Sequence, residues 1–358
     1  MAADARPPVR TALVGCGRIG VRHAKILADH PDVEVVAMVD IDRSRAEGFA
    51  SKHGGRAFSE VAAMIAAERP DLVDICTPSG SHAEIVLGAV RAGVQNIVVE
   101  KPMALRVADA DAMIEACDAA GTRLFVVKQN RYNLPIRKLR EAIEEERFGR
   151  LVLGTIRVRW CRRQDYYDLD PWRGTWAQDG GVFANQASHH VDMLNYMMGP
   201  VATVSAMTTT RLVDIEAEDT GVCILRFASG ALGVIEATTA ARPVDMEGSI
   251  SILGEHGTVE VGGFAMNEIK VWRFAQERPE DAAVIESFST NPPDVYGFGH
   301  HEYLKDVVAA IHGDSPPVVD GREGRKSLEL ITAIYESSET GREIRLPFEP
   351  SMCRLGIG

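Results

Sequence analysis

The chain has 358 residues, a formal net charge of −12, and is 46% hydrophobic and 25% charged. That length suggests two domains, and the composition is that of a globular protein. The acidic balance argues against a general nucleic-acid binder. No run approaches the ~18 apolar residues of a membrane span. "MAADARPP" lacks the basic start and apolar core of a secretion signal, so a cytoplasmic protein is expected, with disorder confined to those first residues. Cys16, Cys76, Cys117, Cys161, Cys223 and Cys353 are scattered, without a C-x-x-C pair or zinc spacing. They read as reduced thiols, and no metal is expected.

From the N-terminus, "TALVG", "VEVVAMVD", "LVDICTP", "NIVVE" and "RLFVV" alternate with helical patterns. This alternation predicts βαβ units and a doubly wound parallel sheet of the Rossmann kind. The nearly continuous apolar character of the strands fits a sheet covered on both faces. We place this dinucleotide-binding domain at 1–127 and a second, α+β domain for substrate binding and oligomerisation at 128–358.

The first strand runs into Gly15-Cys16-Gly17-Arg18-Ile19-Gly20, a G-x-G-x-x-G between a strand and a helix. Gly15 permits the tight turn, Gly17 admits a pyrophosphate, and Gly20 allows close packing. Arg18 and Ile19 open the helix whose free N–H groups would hold the phosphates. Asp40 ends the second strand, twenty positions beyond Gly20. A carboxylate there bonds the ribose hydroxyls and repels a 2′-phosphate, so NAD is expected over NADP. Arg43 and Arg45 nearby would suit a 2′-phosphate, and Asp40 as a helix N-cap is the plainer alternative. Thr77, Pro78 and His82 in "CTPSGSH" fall at the carboxyl edge of the sheet, where ligands bind. His82 either meets the cofactor or caps the next helix.

Glu100-Lys101-Pro102 ends a later strand at the same edge. Lys101 is expected to face the nicotinamide, where an ammonium can bond a substrate hydroxyl and tune its proton transfer. The proline fixes the local backbone, in a cis or trans peptide. Glu100, and Gln129 in "VVKQNRYN", are counted with the cofactor residues.

Beyond that stretch the pattern changes. The helix "LPIRKLREAIEEERFG" gives way to "LVLGTIRVRW", where arginines alternate with apolar residues. "GVCILRFASGALGVIEATT" reads as a hairpin turning at Ser229-Gly230, and "GSISILGEHGTVEVGG" as another. Between them, Gly180-Gly181 precede an amphipathic helix that Gly199 is placed to stop. Asn185, His189 and Asp192, spaced by four and three, would share one face of it. Val182, Val191, Leu194 and Met198 are candidate core. An amide and an imidazole side by side suit adjacent sugar hydroxyls; His190 reads as structural.

Together the glycine loop with its downstream Asp40, the T-P…H turn, E-K-P and the G-G-x-x-x-N-x-x-x-H-x-x-D stretch resemble the glucose–fructose oxidoreductase / inositol dehydrogenase (Gfo/Idh/MocA) family. The resemblance runs from about Arg10 to Pro347. It implies a Rossmann domain followed by a domain with a large open, mainly antiparallel sheet. It also implies oxidation or reduction of sugars and polyols with NAD(P), commonly by dimers or tetramers. The family pattern has Asp where this chain has Asn185, with His189 and Lys101 completing the relay. An amide is no base, so proton transfer falls on Lys101 and His189, with Asn185 orienting the hydroxyl. "VVKQNRYN", Trp172-Arg173-Gly174-Thr175-Trp176, Asn185-Gln186 before His189 and "VVDGREGRKSLELITAIYES" resemble the UDP-N-acetyl-2-amino-2-deoxyglucuronate 3-dehydrogenases. Those enzymes oxidise a sugar C3 hydroxyl with NAD.

A diphosphate and a carboxylate on such a substrate call for arginines. Arg131, Arg157, Arg159, Arg162, Arg163 and Arg173 are available. Of these, Arg131, Arg159 and Arg173 join Lys101, Tyr132, Tyr166, Asn185, Gln186 and His189 as expected substrate-binding residues. Rival readings are another sugar, polyol, sugar phosphate or deoxysugar nucleotide as substrate, a non-catalytic NAD-sensing regulator, and a scaffold. The ending "FEPSMCRLGIG" is a candidate for packing on a neighbouring subunit.

Overall fold

The computed structural model describes residues 6–290, 297–314 and 319–358. The start of "MAADARPP" and the first valine of "VVDGREG" lie outside the described residues. The chain divides into two compact units, Met1–Lys128 with His300–Arg325, and Gln129–Gly299 with Lys326–Gly358.

In the first unit, strands β1 (Val9–Val14), β2 (Val33–Val39), β3 (Arg56–Phe58), β4 (Leu72–Ile75), β5 (Asn96–Val99) and β6 (Arg123–Val126) alternate with helices. The helices are α1 (Arg18–Asp29), α2 (Arg43–His53), α3 (Val61–Glu68), α4 (His82–Arg91) and α5 (Val107–Ala120). The six strands lie in the order β3-β2-β1-β4-β5-β6, and every pairing is parallel. That is the dinucleotide-binding arrangement, with its ligand crevice where the order reverses between β1 and β4. Leu13, Met38, Leu72, Ile75 and Ile97 are inaccessible, as the apolar runs require.

The sequence-based boundary at 127 omits a returning segment. The Val126 N–H donates to the Val319 carbonyl at 3.1 Å, and the Arg123 guanidinium reaches the Ala310 carbonyl at 2.6 Å. The edge of β6 is thereby covered by residues that follow the second domain in sequence, an expected treatment of an otherwise bare edge.

The second unit contains α6 (Leu134–Glu144), β7 (Leu151–Arg159), the short α7 (Gln164–Tyr167), α8 (Ser188–Met198), β8 (Val201–Thr209), β9 (Thr220–Phe227), β10 (Leu232–Thr238), β11 (Glu247–Gly254), β12 (Gly257–Gly262), β13 (Glu268–Phe274) and α9 (Asp281–Ser287). After α10 (Gly299–Ile311), the long α11 (Gly321–Thr340) leads to β14 (Ile344–Arg345). Its eight strands run β13-β12-β11-β7-β10-β9-β8-β14. All pairs are antiparallel except β7 with β10. Both predicted hairpins form, β9–β10 with Gly230 at a φ of 89°, and β11–β12.

One face of this sheet is covered, and the period of two decides which. Gly154 lies directly beneath α8, since a Cβ there would sit 2.7 Å from Leu194 and 2.8 Å from Met198. Ile156 and Val158 follow it on that buried face. The opposite face carries Arg157 and Arg159, with Met207 76% and Ile224 64% exposed.

The C-terminal tail packs on its own unit. Glu336 on α11 accepts the backbone N–H groups of Ser351, Met352 and Cys353 at 3.1, 2.8 and 2.8 Å, and Leu355 is buried.

Candidate active site

The glycine loop has the conformation that its sequence predicts. Gly15 adopts a φ of 101°, and a Cβ there would lie 2.6 Å from the Cys76 backbone. A Cβ on Gly17 would meet nothing within 4 Å, so the backbone at the start of α1 is open to a ligand. Gly20 abuts the Gly15 carbonyl, leaving no room for a side chain. Arg18 and Ile19 begin α1, with Gly17 as its N-cap. No acidic residue occupies the helix's first turn, which suits it to phosphate.

Asp40 follows β2 and is held in place by backbone, its carboxylate accepting from the Cys16 N–H and the Asp42 N–H at 2.9 Å each. The cap of α2 is Asp42, so the N-cap alternative for Asp40 does not apply. Arg43 and Arg45 pair with Glu47 and Asp42 along the exposed side of α2. These residues fit a dinucleotide with an unphosphorylated ribose: open backbone for the pyrophosphate and a fixed carboxylate for the hydroxyls.

Thr77 and Pro78 follow β4, and Glu100 and Lys101 follow β5, at the same carboxyl edge. His82 departs from expectation. Its ring is fully buried, with one nitrogen 2.9 Å from the Thr77 carbonyl and the other 2.9 Å from the Pro102 carbonyl. Burial lowers its pKa against the pull of those carbonyls. Through both ring nitrogens it braces two loops. Glu100 is likewise turned inward, one carboxylate oxygen accepting the Lys101 N–H at 2.9 Å and the other facing His23 at 3.1 Å. The Lys101–Pro102 peptide is cis.

In the second unit, regular helix begins only at Ser188, so Asn185 and Gln186 occupy the turn that precedes α8. His189 and Asp192 share the helix face as expected; Asn185 lies in that turn and not in the helix. Its amide nitrogen donates to Asp179, whose other oxygen accepts the Gly174 N–H at 2.9 Å. Gln186 is buried, and among the described residues its amide nitrogen has no hydrogen-bond partner. Gln129, counted with the cofactor residues from the sequence, bonds within this unit: its amide nitrogen lies 2.9 Å from Nε2 of His189, fixing the ring. His190 is sealed against Trp160, and burial pushes it down to about 3, so it is a neutral core residue.

The arginines expected to bind anions are engaged within the protein. Arg131 makes a buried two-pronged pair with Asp192 at 2.7 and 2.8 Å. Arg159 forks onto Glu236 and reaches Glu247, on the sheet face opposite α8. Arg173 bonds Asp170 at 3.0 Å and the Tyr166 hydroxyl at 2.8 Å. Tyr132 is buried in the one-turn helix that contains Arg131. Alternation along β7 was visible in the sequence, but the carboxylates across the ladder were not.

Sequence reasoning missed three buried acids and bases. Asp179 directly precedes Gly180-Gly181, a position that could have marked it. His23 stands among the apolar positions of α1 and could have been flagged for that. Glu218 carries no local signal; its carboxyl is pushed up to about 7, by burial first and also by Asp179.

Two family models match the chain, "Oxidoreductase family, NAD-binding Rossmann fold" over residues 9–128 and "Oxidoreductase family, C-terminal alpha/beta domain" over residues 140–346. Among solved structures, the chain is similar to the WlbA dehydrogenase from Bordetella pertussis, in complex with NADH and UDP-GlcNAcA. The two are 45% identical with a TM-score of 0.93, over 97% of this chain and 100% of that one. The WlbA dehydrogenase from Chromobacterium violaceum, with the same ligands, is 42% identical with a TM-score of 0.90 over 97% and 100%. Myo-inositol 2-dehydrogenase from Thermotoga maritima is 29% identical over 94% of this chain and 98% of that protein.

Proposed function

The chain belongs to the Gfo/Idh/MocA oxidoreductase family, with an NAD-binding Rossmann domain and the family's C-terminal domain, and from that premise we propose that it oxidises the C3 hydroxyl of a UDP-N-acetylglucosaminuronate-type nucleotide sugar to a 3-keto sugar. The observation that carries this reading is the 45% identity, over almost the entire chain, to a dehydrogenase solved with NADH and UDP-GlcNAcA. Asn185, Gln186 and His189 support it as a compact set of sugar-facing groups. The unpartnered Gln186 amide nitrogen is a donor suited to a substrate oxygen.

NAD, when bound at the glycine loop and Asp40, accepts the hydride. We assign the proton of the reacting hydroxyl to His189, assisted by the Lys101 ammonium. Asn185 orients the hydroxyl, Gln129 holds the imidazole, and Asp179 holds Asn185. Such positioning is worth on the order of 7–11 kcal/mol in favourable systems. Subunits associate, in this reading, through the open face of the eight-stranded sheet.

A second reading has a specific observation behind it. Arg131, Arg159 and Arg173 are committed to partners within the protein, which removes the expected cationic cradle and favours an uncharged polyol such as inositol. NADH absorbance separates the two. Purified protein with NAD is offered UDP-N-acetylglucosaminuronate or myo-inositol, with an arm in which 2-oxoglutarate can reoxidise tightly held NADH, itself reduced to 2-hydroxyglutarate, and 3-keto product is measured. Turnover or 3-keto product with the nucleotide sugar alone supports the first reading, and turnover with inositol alone overturns it. In either case Lys101→Ala is expected to abolish turnover and leave NAD affinity within a few-fold.

A further inference from the structure

Four ionisable side chains are packed together inside the first unit, and the proposed chemistry uses none of them to move a proton. They are His23 on α1, Asp74 in β4, Glu100 after β5 and His300 in the first turn of α10. Their exposures are 0%, 0%, 5% and 1%. Charges so placed are costly to desolvate, and apolar side chains of like volume would hold a fold together as well. Such a cluster therefore calls for a role beyond stability.

The geometry is specific. Nδ1 of His23 is 2.7 Å from an Asp74 oxygen, and its Nε2 is 3.1 Å from Oε1 of Glu100. An imidazolium, with both ring nitrogens donating, satisfies both carboxyl neighbours at once. Burial opposes that charge, but Asp74 above all outweighs it, and the pKa is raised well above the ordinary histidine value. Burial likewise works against an ionised Glu100, yet the bond from His23 first, with His300 nearby, holds its carboxyl well below the usual range. His300 lies 3.7 Å from the same Oε1, and burial first brings it down to about 4, so it is neutral. The remaining Glu100 oxygen accepts the Lys101 backbone N–H at 2.9 Å. A connected path thus runs from the helix that begins at the glycine loop, through His23 and Glu100, to the backbone of Lys101.

We propose that His23 is a positioning residue for Lys101. Acting through Glu100, it ties the segment that bears the ammonium to helix α1, so that the phosphate-holding and proton-handling parts of this unit keep one register. The proposal rests on the reading of Lys101 as a catalytic group.

The test compares the wild-type protein with His23→Gln, Glu100→Gln, the double variant and Lys101→Ala, all on the substrate that the panel identifies. An amide at 23 is neutral, and its two N–H donors share one nitrogen, so it cannot span the two carboxylates that meet separate ring nitrogens of His23. Glutamine at 100 still accepts the Lys101 N–H and guards against failure of the His23 variant to fold. Expected is a kcat loss of about 30-fold or more in each single variant, with KM and the NAD Kd within about threefold. The double variant should lose little beyond either single, because the two residues act in series. Near-normal kcat in His23→Gln beside an inactive Lys101→Ala overturns the positioning role alone. Additive losses, or losses confined to KM or Kd, overturn it as well. An active Lys101→Ala overturns the reading of Lys101 and this proposal with it. The ligand atoms of His23, Glu100 and His300 lie within 4.8 Å of one another. Retention of one divalent metal per chain after dialysis would make His23 Nε2 a ligand rather than a donor, and would overturn the proposal too.

Discussion

Arg131, expected to bind substrate, forms a buried ion pair, and a structural role for that pair can be tested. Its guanidinium and Asp192 are 6% and 3% exposed and meet through two bonds. The guanidinium also lies 4.2 Å over the ring of Tyr196. Removing one partner strands the other as an uncompensated buried charge, which costs about 3–5 kcal/mol. Replacing both by apolar residues of similar size is often close to neutral. Arg131→Met and Asp192→Leu should therefore each destabilise by about 3–5 kcal/mol. The double variant should recover most of that, so its cost falls far short of the sum of the two singles. Urea unfolding, followed by tryptophan fluorescence with slopes compared, measures it.

The same double variant decides between the two roles. With the fold restored and His189 still supported by α8, kcat/KM is expected to fall less than tenfold. Single costs below about 1 kcal/mol that simply add would refute the buried-pair argument. A double variant of normal stability whose KM rises about 100-fold would return Arg131 to the substrate, since that factor corresponds to about 2.7 kcal/mol of lost binding.

Three further outcomes are expected. The Glu218 carboxyl is raised from 4.5 to about 7. Its contribution to stability is therefore fully present below about pH 4.5 and is lost as pH rises through about 7. Unfolding at about pH 5 and about pH 8 should show a smaller difference in Glu218→Gln than in the wild type, and an equal difference would contradict the buried neutral acid. Gln129→Leu should lower kcat by roughly 10–100-fold with intact NAD binding, the scale seen when a partner that orients a histidine is lost. An unchanged kcat would leave the amide without a catalytic function. Met207→Glu with Ile224→Glu places charge on the open sheet face and should reduce the mass measured by light scattering; an unchanged mass would put the subunit contact elsewhere.

The fold was legible where a residue's environment is set by its neighbours in sequence. Apolar runs marked the parallel strands, alternation marked the hairpins, and G-x-G-x-x-G announced its own backbone. It was not legible where the deciding partner is remote. The return of His300–Arg325 to the first unit depends on β6 needing an edge partner nearly two hundred residues away, which no local pattern encodes. The face of β7 covered by α8 depends on Gly154, a position that reads as a weak point in a strand until Leu194 and Met198 are seen above it. Without that fact Arg159 could be assigned to either side.

The candidate site divides in the same way. Residue types and spacing made Gly15, Gly17, Gly20, Asp40, Lys101 and His189 candidates. Pairing was not visible, and pairing decides what a polar group can still do. Asn185 is the clearest case. Where the family pattern has a carboxylate, the sequence shows only an amide and suggests a charge lost from the site. The carboxylate of Asp179 lies within hydrogen-bonding reach, holding the amide nitrogen and the Gly174 N–H together. An amide held at its nitrogen by Asp179 has a fixed orientation. In the proposed reading Asn185 therefore orients a sugar hydroxyl but does not take its proton, and the acid–base work falls to the lysine and the histidine.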